Sequence, residues 1–224
     1  MAAKTTFKDA VRSQTSILTP LEKKCLYWVA RRLPARVNSD HLTALGFFAM
    51  LLAGASYALA RWWPPALLLV NLWLAANWFG DSLDGTLARV RNKLRPSYGF
   101  YVDHMLDAFG ALFLLIGMGL SGYMTPVVAI ALLIAYLLLS IDVYLATYTI
   151  GTFELSFWIF GPTELRILLA IGNVFVLVKP QVGLFGGKYL FYDVGGVVAT
   201  VALAVVVIIS VVRHTYTLYN AERI

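Results

Sequence analysis

Apolar residues dominate six stretches of this chain, at about 42–60, 66–89, 97–121, 126–148, 162–178 and 189–213, each bounded by charged or turn-forming residues. A helix needs about 20 mostly apolar residues to cross a bilayer. The pattern therefore predicts an all-α, polytopic membrane protein with six transmembrane helices. Asn38-Ser39-Asp40 offers the first span a capping site. Arg61-Trp62-Trp63-Pro64-Pro65 reads as an aromatic interfacial turn before the second. A shorter helix precedes the spans, begun by a Thr19 cap, Pro20 in the first turn and an early Glu22. From Leu21 to Leu33 it carries Leu21, Cys25, Leu26, Val29 and Leu33 on one side, with Lys23, Lys24, Arg31 and Arg32 towards the other. This predicts an amphipathic helix on the membrane surface; the plainer alternative is a solvated helix packed on the rest of the chain.

Composition supports the membrane reading. Of the 224 residues 60% are hydrophobic and only 13% charged, well outside the range of soluble domains. The net charge of +6 does not point to nucleic acid, because the basic residues flank the apolar stretches, where they set topology and meet anionic lipid. Lys23, Lys24, Arg31, Arg32 and Arg36, then Arg89, Arg91, Lys93 and Arg95, then Arg213 and Arg223 fall on one side of a six-span arrangement. The opposite loops hold Arg61, Lys179 and Lys188. Both termini are therefore predicted to be cytosolic, with residues 1–37 as a cytosolic segment and 38–224 as the membrane domain. No signal-peptide core is read near the start. The single cysteine, Cys25, excludes an internal disulfide framework and a cysteine-rich metal site.

Four aspartates change the picture. Asp81 and Asp84 stand three apart in the second span, and Asp103 and Asp107 four apart in the third. Each pair shares a helical face. A central Asp costs about 2.5–3.5 kcal/mol to insert into a membrane, so four require a reason, and a shared cation is the usual one. Hard oxygen ligands suit Mg²⁺, Mn²⁺ or Ca²⁺ rather than zinc, and bound Mg²⁺ commonly bridges carboxylates to substrate phosphates. The short linker predicts that the two helices are antiparallel neighbours. With a rise of 1.5 Å per residue, the carboxylates sit at similar depth, on the order of 8–15 Å below the cytosolic surface. Asn77 lies one turn before Asp81 and is read as a supporting partner. Arg89 stands where it can meet a phosphate. Asp142, at similar depth, and Glu164 and Arg166, at the start of the fifth span, are candidates for an acceptor pocket, with a Glu164–Arg166 ion pair as the alternative.

In order, Asp81, Asp84, Gly85, Ala88, Arg89, Gly99, Asp103 and Asp107 fill every fixed position of the signature of the CDP-alcohol phosphotransferases, which this stretch resembles. The spacer from Arg89 to Gly99 is nine residues, one more than is commonest in that family. Upstream, Thr43 matches a Pro-Asn-x2-Thr element whose Pro and Asn are absent. The resemblance implies transfer of a substituted phosphate from a CDP-alcohol to an alcohol acceptor, with release of CMP. It implies that Asp81, Asp84, Asp103 and Asp107 bind Mg²⁺ or Mn²⁺, often as two ions, and that Asp107 is the catalytic base. Gly85, Ala88, Arg89 and Gly99 would form the nucleotide and phosphate site. The resemblance also implies a homodimer, and the depth of the aspartates predicts a site open to the cytosol. CDP-diacylglycerol or a similar lipid is the preferred donor. A CDP-choline or CDP-ethanolamine donor with diacylglycerol as acceptor is the alternative, kept open by the Asp103-His104 pair.

Plainer roles compete for individual residues. His104 points about 100° away from Asp103 and is read as structural or lipid-facing. Gly117, Gly119 and Gly122 suit close helix packing. Trp62, Trp63, Trp158, Tyr189 and Tyr192 read as interface anchors. Outside the family, an intramembrane prenyltransferase fits poorly, since its two Asp motifs usually lie much farther apart. A cation transporter is the non-enzyme alternative.

Overall fold

The computed structural model describes residues 19–151 and 161–223; residues 1–18 and the predicted anchor Trp158 lie outside them. Among the described residues, seven helices and one hairpin follow in order: α1 (Thr19–Ala30), α2 (Ser39–Leu59), α3 (Ala66–Val90), α4 (Pro96–Leu120), α5 (Pro126–Thr149), α6 (Pro162–Val178), β1 (Gln181–Leu184), β2 (Gly187–Leu190) and α7 (Phe191–Ala221). Five of the helices, α2, α3, α4, α5 and α7, are long and apolar enough to cross a membrane. The predicted fifth span forms as α6, but its 17 residues fall short of the others. At 1.5 Å per residue α6 is about 26 Å long, less than the roughly 30 Å hydrocarbon core. The chain between α6 and α7, expected to be a loop, is an antiparallel hairpin that pairs Gln181 with Leu190 and Leu184 with Gly187.

The bundle is organised around α2. It packs closely on both α3 and α4, which do not pack comparably on each other. The short linker therefore did not make α3 and α4 close neighbours. Glycine makes the α2 contacts this tight: a Cβ on Gly54 would lie 2.2 Å from the Phe113 carbonyl oxygen of α4, and one on Gly117 would lie 2.1 Å from the Gly54 oxygen. Small residues allow such approach where apolar side chains gain little over lipid. Gly119 likewise faces Ala129 and Pro126 of α5, whereas Gly122 has a φ of +81° and turns the chain between α4 and α5.

A buried polar network ties four helices together away from the aspartates. Asn173 of α6 is fully buried. Its Oδ1 accepts from Tyr57 Oη at 2.8 Å and from Tyr192 Oη at 2.5 Å, and its Nδ2 donates to Asn71 Oδ1 at 2.8 Å. Tyr192 is thus a core residue and not the expected interface anchor, whereas Trp62, at 75% exposure, keeps an anchor's position. Replacing Asn173 by leucine keeps the number and branching of the side-chain atoms and leaves the Tyr57 hydroxyl without its acceptor. A buried unsatisfied donor costs about 1–3 kcal/mol, so the unfolding midpoint in detergent should fall; an unchanged midpoint would show that the network is incidental.

The first helix runs alongside α3. Leu26 and Ala30 pack with Leu42, Leu83 and Leu87, and Glu22 accepts a hydrogen bond from Trp78 Nε1 at 2.7 Å. The chain leaving α1 is held by Arg91, which donates to the carbonyls of Val37, Leu33 and Pro34. Cys25, placed on the apolar side from sequence, is exposed. The opposite face carries Lys24, Tyr27, Trp28 and Arg31, all exposed.

Candidate functional site

Where α2 holds α3 and α4 apart, the carboxylates look across the gap. Asp107 lies within electrostatic reach of Asp81, Asp103, Arg166 and Asp84, and Asp84 within reach of Asp103 and Asp81. Asp107 is also exposed. The four carboxylates thus share one neighbourhood between α3 and α4, called the cleft below.

On α3 each carboxylate is held by partners from another helix. Asp84 Oδ2 accepts from Thr43 Oγ1 of α2 at 2.6 Å, and its Oδ1 accepts from the Gly85 amide at 2.5 Å. Ser39 Oγ, one turn before Thr43, donates to the Asp84 carbonyl at 2.8 Å. The upstream Thr43 thus has a local job, to orient Asp84. Asp40 instead pairs with Arg95 of the α3–α4 linker. Asp81 Oδ2 accepts from Arg166 of α6 at 2.6 Å, and the same guanidinium donates through Nε to Asn77 Oδ1 at 2.8 Å. Asn77 is buried and donates to the Gly46 carbonyl at 3.0 Å.

The other sequence candidates divide. Gly85 and Gly99 face open space: a Cβ on either would meet nothing within 4 Å. Ala88 is buried and Arg89 exposed. Arg166 joins the cleft through Asp81. Glu164 caps its own helix, accepting from the Gly161 amide at 2.9 Å. Asp142 turns to α7, where Ser210 Oγ donates to it at 2.5 Å and His214 Nδ1 stands at 3.2 Å. His104 is buried, with Nδ1 2.6 Å from the Phe100 carbonyl and its ring edge-on to Tyr144 at 4.8 Å. It packs inside the bundle and does not face lipid.

Two residues of α5 reach the cleft without having been singled out. Tyr136 lies within electrostatic reach of Asp107 and Asp81, and Tyr144 within reach of Asp107 and Asp103. With Ser140 between them they occupy positions four apart on one helical face. That polar stripe, in an otherwise apolar span, was the available signal. Asp142 falls on the far side of the same helix.

The donor chemistry fits a hard divalent cation. The donors are carboxylate oxygens, and four carboxylates against Arg166 leave these five groups negative when ionised. Among the described residues, however, no three His, Cys, Asp or Glu side chains converge closely enough to hold an ion. Arg166 supplies the positive charge beside Asp81.

No family model matches the chain. Among characterised proteins, the chain is similar to an archaetidylinositol phosphate synthase of Pyrococcus horikoshii, with 28% identity over 165 residues, or 73% of this chain and 84% of that protein.

Proposed function

We propose that this chain is a membrane-embedded transferase that moves a substituted phosphate from a CDP-linked lipid to an alcohol and releases CMP. One observation supports the reading: the four signature carboxylates of α3 and α4 lie within electrostatic reach of one another, near glycines that face open space. The name of the Pyrococcus horikoshii relative supports an inositol phosphate as acceptor and a CDP-activated archaeal-type lipid as donor. The hydroxyl stripe of Tyr136, Ser140 and Tyr144 suits a polyol, and Arg166 suits its phosphate.

In this reading the acceptor oxygen attacks the phosphorus that carries the lipid alcohol. The bond to the CMP phosphate breaks, CMP leaves, and Asp107 takes the acceptor proton. Gly85 and Gly99 let the nucleotide approach the backbone, beside Ala88, and Arg89 meets its phosphates. Asp81, Asp84, Asp103 and Asp107 would hold Mg²⁺ or Mn²⁺, which when bound neutralises the diphosphate and stabilises the attacking and leaving oxygens. Six passes with cytosolic termini, a cytosol-facing cleft and a homodimer complete the proposal. The apolar residues exposed along α7, among them Val198, Val201, Val205 and Ile209, suit lipid or a second copy. Because His104 packs against Phe100 and Tyr144, its place beside Asp103 lends the choline alternative no support.

The test is CMP release by purified protein in lipid with Mg²⁺ or Mn²⁺. CDP-diacylglycerol and its ether-lipid counterpart are offered with inositol phosphate, and separately CDP-choline with diacylglycerol. CMP from the first pool only, and none in excess chelator, is the expected result. CMP that persists in chelator would remove the metal assignment. Ion flux with no nucleotide binding would replace the transferase reading with the transporter.

A further inference from the structure

Glu22 belongs to the first helix, outside the signature, yet one of its oxygens gathers three donors from two other helices. Oε1 accepts from Trp78 Nε1 at 2.7 Å and Ser82 Oγ at 3.2 Å on α3, and from Thr163 Oγ1 at 2.9 Å on α6. Trp78 and Ser82 directly follow Asn77 and Asp81 in sequence, the pair held by Arg166. One residue is 100° of helix, so Glu22 and Arg166 grip neighbouring stripes of α3 at the same height. Thr163 and Arg166 are three apart and share a face of α6. The result is a closed brace of three helices, in which α6 meets α3 directly through Arg166 and indirectly through Thr163 and Glu22.

The brace also fixes where α6 starts. Thr163 is held level with Ser82, two turns before α3 ends at Val90. At its other end α6 is fixed by Asn173 on Asn71. Arg166 lies three residues from Thr163 and four from Ala170, whose carbonyl accepts from Asn71 Nδ2, so it stands between the two anchors, and the Glu22 anchor holds the first turn that leads into it. We propose that Glu22 is a positioning residue: by pinning Thr163 beside Ser82 it holds Arg166 on Asp81 and Asn77, and thereby makes α1 a working part of the cleft. The inference rests on the transferase reading for its consequence, but not for the brace itself.

The chemistry of the three donors sets the test. All three bonds end on Oε1, so Glu22→Gln keeps an acceptor there, whereas Glu22→Ala removes it. In Glu22→Ala, kcat for CMP formation should fall on the order of tenfold or more, the scale of a small misplacement in a site, with the KM for the CDP donor little changed. Glu22→Gln should recover most of that loss. Hydrogen exchange, which needs no activity, should show faster exchange of the amides at the start of α6 in Glu22→Ala, with α5 unaffected. Unchanged kcat overturns the positioning role even where exchange rises, since the contact is then structural only. Unchanged exchange overturns the brace. Wild-type protein that forms no CMP from any donor rejects the transferase reading; exchange at α6 then decides the brace alone.

Discussion

Replacing Asp107 by asparagine is expected to abolish CMP formation while the CDP donor still binds. Asparagine has the size of aspartate but cannot accept the acceptor's proton, and loss of a general base costs typically 10²–10⁴-fold in rate. Asp81, held from α6, and Asp84, held from α2, are untouched by the change, so the donor side of the cleft keeps its charge. Stability gives a second, opposite readout. Asp107 stands among three other carboxylates, and like charges at close range repel. Removing one should leave the unfolding midpoint in detergent unchanged or raised. A residue whose role is purely structural would show the reverse, with turnover kept and the midpoint lowered. Near-normal CMP release in Asp107→Asn would remove the base assignment whatever the stability.

Sequence yields height along a helix more readily than direction around it. The spans were legible because long apolar runs end at Pro64-Pro65, at Arg95-Pro96 and at Pro126, and the observed helices begin there. The aspartates were legible because charge inside such runs is costly. Asp142 was expected at the depth of the other aspartates and towards their cavity, but it faces Ser210 and His214 of α7. Arg166 was a candidate with two partners in view, and its actual partners, Asp81 and Asn77, lie 85 and 89 positions earlier. Helix packing decides such pairings through glycine contacts such as Gly54 on Phe113, which apolar periodicity does not encode. The hairpin was hidden for a different reason. Its strands are four residues each, and its turn places Phe185 at a φ of +47° before Gly186, without the usual Asn-Gly or Asp-Gly signal. Glu22 was read as a helix-start residue, which it is; its three long-range donors arise only when α1, α3 and α6 assemble.

Gly80 and Gly85 stand five residues apart on α3, and alanine at the two positions should have opposite effects on stability. At Gly80 an added Cβ would lie 2.5 Å from the Leu42 carbonyl oxygen and 2.6 Å from the Gly46 amide nitrogen, both backbone atoms of α2. Neither can swing aside as a side-chain end can, so α2 must move away from α3. Overpacking of this kind costs about 1–3 kcal/mol and sometimes more. Thr43 follows Leu42 directly, and its bond to Asp84 should loosen with the shift. Gly80→Ala is therefore expected to lose both stability and CMP turnover. At Gly85 an added Cβ meets nothing within 4 Å. Alanine is favoured over glycine inside a helix by about 0.5–1 kcal/mol, so Gly85→Ala should unfold later than the wild type. If the open space beside Gly85 holds the donor, the same methyl should cut turnover and weaken nucleotide binding. Measuring the unfolding midpoint and CMP release for both variants separates packing from chemistry. A stable Gly80→Ala would show that the α2–α3 approach can relax, whereas full turnover in Gly85→Ala would show that the donor lies elsewhere in the cleft.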